Sequence, residues 1–408
     1  LWARQSNSSS NNHATDMTID AGDNIYLAGD NNAHTSFGNL TADKIGMFIV
    51  KYDTDGTSIQ LINESGCNTA SVNAGADNRI YFSGSLVDTT VIKGDTLFPT
   101  GYYQYINNGW TIDTVFIYDR DHLFICYNSQ GNAEWYRQAK SKEYDERTYT
   151  VIDNQSNLYV AGNIVDTTDF WGTTVVPEGF SKPFLMKMNS SGTISWFETG
   201  SPVSEYGGLY LKNVTTRNNI VYVTGAPYET SIFAGLTIYN TGSSESTVIL
   251  KIDSAGSGLW AIYDTTNLER NSAMAITPDR DENIIICGYF EDSVHYGNNY
   301  LNSFGNGSPI MFVAKMSSKP DDLHISEHEA GNETLTIFPN PTYGEAILHS
   351  AEAISRITIL NSTGQVIRKI NSINQTDYKL QRPELPGVYF IRVVTGKQTI
   401  TKKLIVIN

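Results

Sequence analysis

The sequence predicts an all-β chain of two domains, and three observations predict it. At 408 residues the chain exceeds one typical domain. Its abundant Gly, Asn, Ser, Thr and Tyr suit turns and half-buried strands, and no long amphipathic helical run occurs. A polar turn, an apolar–aromatic strand and a glycine recur from residue 2 to residue 316 and then stop, which divides the chain. Apolar residues make up 40%, enough for a packed core.

The repeat sets the first domain. Its anchor strand reads Asn24-Ile-Tyr-Leu-Ala-Gly29, Asn78-Arg-Ile-Tyr-Phe-Ser-Gly84, Asn157-Leu-Tyr-Val-Ala-Gly162, Ile220-Val-Tyr-Val-Thr-Gly225 and Asn283-Ile-Ile-Ile-Cys-Gly288. A second strand follows at Phe48–Asp53, Phe124–Asn128, Phe184–Asn189, Val248–Asp253 and Phe312–Met316. A turn glycine comes next (Gly56, Gly131, Gly192, Gly256), and four residues beyond it stands Trp135, Trp196 or Trp260. Gln60 occupies that slot in the first unit, where packing is expected to be weaker. Gly38, Gly94, Gly172, Gly235 and Gly297 mark a smaller element between the two strands.

Each unit thus offers about four short alternating strands, and a single four-stranded sheet cannot cover both of its faces. A ring of such sheets packed face to face can, which is a β-propeller, here of five blades over residues 1–318. The pattern resembles the bacterial propeller repeats often called SBBP repeats, a family usually described as seven-bladed. The fifth unit stops at Met316 without its Gly-x-x-x-Trp strand, and Leu1-Trp2-Ala3-Arg4 reads as that strand. Pairing it with the Phe312 strand would close the ring and remove two raw edges. Burial of Trp2 would contribute about 1.5–3 kcal/mol.

Residues 319–333 turn polar, with Pro320 and Gly331, and read as a linker. The second domain, residues 334–408, opens Leu335-Thr-Ile-Phe-Pro339-Asn340-Pro341 with Gly344 just after. It continues with Ile357–Val366 around Gly364, Leu385-Pro-Gly387-Val-Tyr389, and Lys402-Lys403-Leu404-Ile-Val406. The two prolines make an extended turn, and Asn361–Gly364 and Leu385–Gly387 are turns between alternating runs. These four sub-motifs, in this order, resemble the type A C-terminal sorting domain of proteins exported by the type IX secretion system of Bacteroidota. The resemblance implies a small Ig-like β-sandwich and a sorting signal at Pro339, Asn340, Pro341, Gly344, Gly364, Gly387, Tyr389, Lys402, Lys403 and Leu404. It implies the type IX translocon and its sortase as partners. It also implies a destination at the outer-membrane surface or in the medium, with the domain usually removed by the sortase.

A formal net charge of −15 disfavours nucleic acid and anionic membrane surfaces as partners, and no apolar run is long enough to span a membrane. Cys67, Cys126 and Cys287 have no metal-like spacing and imply no disulfide framework; Cys287, in an apolar strand, reads as a buried free thiol. The chain starts at Leu1 without a charged-then-apolar leader, as expected where a signal peptide has been removed or omitted.

No catalytic constellation stands out. His324 and His328 make a loose pair in the linker, and no nucleophile elbow, phosphate loop or dinucleotide fingerprint occurs. No cofactor is predicted. Asp53 and Asp55, and Asp279 and Asp281, gather oxygens as calcium requires, in turns that want Asp for backbone reasons alone. Asp-Ser/Thr tripeptides at Thr89, Thr96, Thr114, Thr167, Ser254, Thr265 and Ser293 resemble the O-glycosylation acceptor of exported Bacteroidota proteins. The second unit carries an extra aromatic stretch with Tyr102, Tyr103, Tyr105 and Trp110, flat faces with polar tips suited to a glycan or protein ligand. The expected function is therefore an exported, non-enzymatic binding or adhesion propeller. A carbohydrate-active or other hydrolytic propeller, and a surface-complex component that retains its sorting domain, are the alternatives.

Overall fold

The computed structural model describes residues 1–107, 112–141, 148–177, 181–202, 208–228, 230–239, 246–263, 270–291, 293–296, 299–302, 308–317, 335–340, 342–361, 366–383, 385–396 and 399–406. Every regular element among them is a β-strand. The chain forms two compact units, Leu1–Ser318 and Lys319–Asn408.

Unit 1 is built of five antiparallel blades. The first orders Asn12–Ile19, Ile25–Asn31, Gly46–Tyr52 and Ser58–Ser65; the second Cys67–Ala74, Ile80–Leu86, Asp121–Tyr127 and Ala133–Ser141. The third orders Tyr149–Ile152, Leu158–Ile164, Lys182–Met188 and Ile194–Thr199; the fourth Leu209–Arg217, Ile220–Pro227, Val248–Ile252 and Gly258–Tyr263. The fifth has three strands, Asn271–Pro278, Ile284–Phe290 and Ile310–Met316. First strands of consecutive blades pack on one another, so they form the inner layer.

Turn chemistry explains the repetition. In the turn before each outer strand, the side chain of Asp53, Asn128, Asn189 or Asp253 accepts the backbone N–H groups two and four residues on. The glycine inside that turn is left-handed, at φ 76° for Gly56, 82° for Gly131, 72° for Gly192 and 93° for Gly256. Such a φ is costly for any residue with a Cβ. Between its second and third strands each blade adds a two-stranded hairpin, the first being Thr35–Phe37 with Leu40–Ala42.

Apolar clusters fill the junctions between consecutive blades. Met47 and Ile49 of blade 1 share one with Val72 and Phe82 of blade 2. Tyr81 and Phe124 join Val160 and Phe184, Leu185 joins Val214 and Val223, and Ile249 joins Ile276 and Ile286. A second tie crosses three of the four junctions at the rim. The Trp135 ring lies over Gly192 and its Nε1–H donates to the Ser190 carbonyl at 2.9 Å; Trp196 does the same over Gly256 with the Ser254 carbonyl. Gln60 keeps the hydrogen bond, Nε2–H to the Ser129 carbonyl at 3.1 Å beside Gly131, so its slot loses the ring but not the donor.

The expected closure is not made. Among the described residues no strand pairs with the outer edge of Ile310–Met316. Trp2 instead lies over Gly56 of blade 1, donates to the Thr54 carbonyl at 2.9 Å, and sits 6.0 Å from the Tyr52 ring. Its segment makes one half of the predicted junction and leaves the other half open.

Unit 2 is a five-stranded antiparallel arrangement. Leu335–Phe338, Ala346–Asn361, Gly387–Thr395 and Thr399–Val406 follow in that order, and Val366–Leu380 pairs with Ala346–Asn361. Register shifts at Ile354 bend the two long strands over a core of Leu348, Ile357, Ile359, Leu380, Ile391 and Leu404. The structure is thus all-β, a propeller-type repeat unit followed by a small sandwich-like unit. The linker expected at 319–333 lies outside the described residues.

Candidate functional site

The residues singled out as a sorting signal are far apart in sequence, and the fold of unit 2 brings several of them together. The Phe338–Pro339 peptide is cis, and Asn340 follows it at the strand exit. The Asn340 amide donates to the Lys403 carbonyl at 2.7 Å and its oxygen accepts the Ile405 N–H at 2.8 Å. The Thr342 N–H donates to the Ile405 carbonyl at 2.8 Å, and Thr342 bridges Val406 in parallel. The first sub-motif is therefore fastened to the last strand, with Leu404 buried beneath and Lys403 exposed above. Gly344 closes the same turn, its N–H reaching the Thr342 hydroxyl. Tyr389 is buried, and its hydroxyl donates to the Leu385 carbonyl at 2.8 Å, locking the turn ahead of Gly387. Lys402 is half-buried on the last strand, and Pro341 and Gly364 lie outside the described residues.

The aromatic stretch of blade 2 is a hairpin, Gly101–Asn107 with Ile112–Tyr118. Tyr102 pairs with Ile117, Tyr103 with Phe116 and Tyr105 with Thr114; Trp110 lies outside the described residues. Its mount was not legible in the sequence. Asp121 is fully buried at the hairpin base and accepts from the Thr100 N–H at 3.0 Å, the Ser141 N–H at 3.1 Å, the Thr100 hydroxyl and the Gln138 amide. The Asp119 N–H donates to the Thr100 carbonyl at 2.8 Å. A buried carboxylate with four donors holds both ends of the hairpin on the blade. Only its position ahead of an apolar run could have hinted at it.

Of the four calcium candidates, Asp53 and Asp279 use a carboxylate oxygen to hold their turns. Asp53 accepts from Asp55 and Thr57 backbone, and Asp279 from Asp281 and Asn283 backbone. Lys315 sits 2.6 Å from Asp279, and this ammonium, with the Asn283 amide, holds the carboxyl well below the usual range. No group of three or more His, Cys, Asp or Glu that could hold a metal occurs among the described residues. Of the Asp-Ser/Thr positions, Thr96 and Ser254 are exposed, while Thr89, Thr167 and Ser293 are half-buried. Thr114 lies in the second strand of the inserted hairpin, and Thr265 is outside the described residues. Asp88 and Asp166 each cap the following N–H. Cys67 and Cys126 are buried, and burial pushes both thiols up to about 12. Cys287, expected inside, is exposed because its face of blade 5 has no neighbouring blade.

Residues 336–407 match the family described as Secretion system C-terminal sorting domain. The chain carries a type IX sorting domain at its C-terminal end. This domain directs export to the cell surface or the medium. No helix among the described residues is long and apolar enough to cross a membrane. No curated protein matches the chain. Among solved structures it is similar to PorZ, a surface component of the type-IX secretion system of Porphyromonas gingivalis, at 10% identity over 95% of this chain and 74% of that one, with a TM-score of 0.18. It is similar to Bacteroides ovatus GH43B at 10% identity over 98% and 91% with a TM-score of 0.32. It is also similar to the Dos1 propeller at 8% over 99% and 97% with a TM-score of 0.31. At these scores none of the three bears on activity, and the fold rests on the strand pairing given above.

Proposed function

We propose that the sorting domain delivers a non-enzymatic binding or adhesion propeller, and that the inserted hairpin of blade 2 is its ligand-recognition element, taking a glycan or a protein. The carrying observation is the mount. An insertion present in one blade alone is fixed at both ends by the buried Asp121 network and bears three tyrosines on one strand. Tyrosine offers large amphipathic contact area at low entropic cost, and a fixed base removes much of the ordering cost of binding. The test replaces Tyr102, Tyr103 and Tyr105 together with Ala and screens full-length protein against immobilised polysaccharides and surface proteins. Binding should fall at least about tenfold with the melting temperature unchanged, the loss expected when aromatic anchors are removed. Unchanged binding would remove the hairpin from the reading, and release of reducing ends from a polysaccharide would replace binding by hydrolysis. Exposed Thr96 and Ser254 are the best placed of the proposed glycan acceptors. Peptide mass spectrometry of native protein decides that point, and bare peptides at both positions would end it.

A further inference from the structure

The formal charge of −15 is unevenly divided along the chain. Residues 335–408 carry nine Lys or Arg against four Asp or Glu, while residues 1–334 carry 19 against 39. Strand pairing then gathers much of this cationic charge on one side of the sorting domain. Lys369 pairs with Thr358, Thr358 with Arg392 and Arg392 with Thr401, which sets one row across four strands. Directly paired residues share a face of an antiparallel sheet. On that same face, the row to one side holds Arg356 between Asn371 and Val394, and the row to the other runs Val366, Leu360, Phe390, Lys403. Arg356, Lys369, Arg392 and Lys403 are all exposed, one from each strand. They alternate with Ile357, Ile391, Val393 and Leu404, which point into the core. Strand spacing puts neighbours in this set about 7–10 Å apart. Among the described residues no carboxylate lies within ion-pair distance of any of the four; the ion pair His349–Asp377 belongs to the other half of the long strands. The fold thus leaves four like charges together without neutralising them. In the same patch Val366 is 44% and Val388 36% exposed, and Phe390 is half-buried.

We propose that this face of the sorting domain binds an anionic, phosphate-bearing lipid surface. The cations are spread over four strands, which matches a plane of repeated phosphates rather than one small anion. The guanidinium groups of Arg356 and Arg392 pair with phosphate oxygens through two N–H groups each, and Lys369 and Lys403 act as point charges. Val366, Val388 and Phe390 reach the boundary between headgroups and acyl chains, where exposed apolar side chains gain by burial. Export brings the domain to a cell surface, where such lipid is at hand. The acidity of residues 1–334 does not cancel this attraction, because salt screens exposed charges beyond about 10 Å. The expectation that anionic membranes are disfavoured therefore holds for the repeats and not for this face. The contact is non-covalent, and it is independent of what the inserted hairpin of blade 2 recognises.

The test sediments full-length protein with phosphatidylcholine vesicles that contain or lack phosphatidylglycerol. The native chain should bind the vesicles with phosphatidylglycerol, and less as salt rises. Lys369→Gln, Arg392→Gln and Lys403→Gln together should weaken that binding about a hundredfold, because each cation near an anionic surface contributes about fivefold. The charge-keeping exchange Lys369→Arg, Arg392→Lys and Lys403→Arg should retain it. Lys44→Gln, Lys93→Gln and Lys140→Gln, which remove as much charge from unit 1, should leave it unchanged. Absence of binding to phosphatidylglycerol vesicles overturns the proposal, as does equal binding by the native chain and the first triple variant. Loss of binding in the charge-keeping exchange also overturns it, because charge would then not be what the lipid meets. Capture on polyglutamate without vesicle binding would replace the lipid by an acidic protein surface.

Discussion

At the scale of single residues, burial decides the chemistry. His122 is enclosed in the junction of blades 2 and 3 beside Phe170 and Phe184, and burial pushes its imidazole down to about 3. An unfolded chain binds that proton near pH 6.5. Between those values the unfolded state holds a proton that the native state lacks, so stability falls as pH falls from about 6.5 towards 3. One such group contributes a slope of at most about 1.4 kcal/mol per pH unit. Urea unfolding at pH 7 and pH 5 should show a smaller loss for His122→Phe than for the native chain; an equal loss would mean the imidazole titrates with little shift. His122 and Asp121 read in the sequence only as polar residues ahead of a strand. Their roles come from groups at least 17 residues away, Gln138, Ser141, Phe170 and Phe184 among them, and no local pattern specifies such partners. Asn340 was legible as a motif residue, but its two bonds to the last strand were not.

At the scale of elements, the repeat carried most of the fold. Alternation gave the second and third strands, and the Asx turns with left-handed glycines gave the hairpins, because both are short-range effects. The Trp-over-Gly clamp was half visible: the spacing located the tryptophans, while the next blade supplies the glycine. That clamp makes a graded prediction. Gly94 is left-handed at φ 88° with nothing near a built Cβ, so Gly94→Ala should cost about 1 kcal/mol from backbone strain. Gly192 is left-handed too, and a Cβ there would lie 2.9 Å from the Trp135 ring. Gly192→Ala should cost about 1–3 kcal/mol more, the usual penalty of overpacking. Thermal unfolding of both variants checks the order, and equal shifts would show that the ring moves aside freely. The Gln60 slot shows that the hydrogen bond to the turn survives without the ring.

At the scale of the whole molecule, sequence spelled out the units but not how the repeat ends. Blade number and strand content were readable from periodicity. Whether blade 5 meets blade 1 depends on the angle at every junction, and that angle is a sum over packed side chains rather than a motif. The C-terminal unit carries the export signal, and in the function proposed above the repeats present the surface that acts after export. Fractionation of a type IX-competent cell tests this division most directly, comparing the full chain with one lacking residues 335–408. The full chain should reach the cell surface or medium and the shortened one should remain in the periplasm. Equal export of both chains would contradict the account.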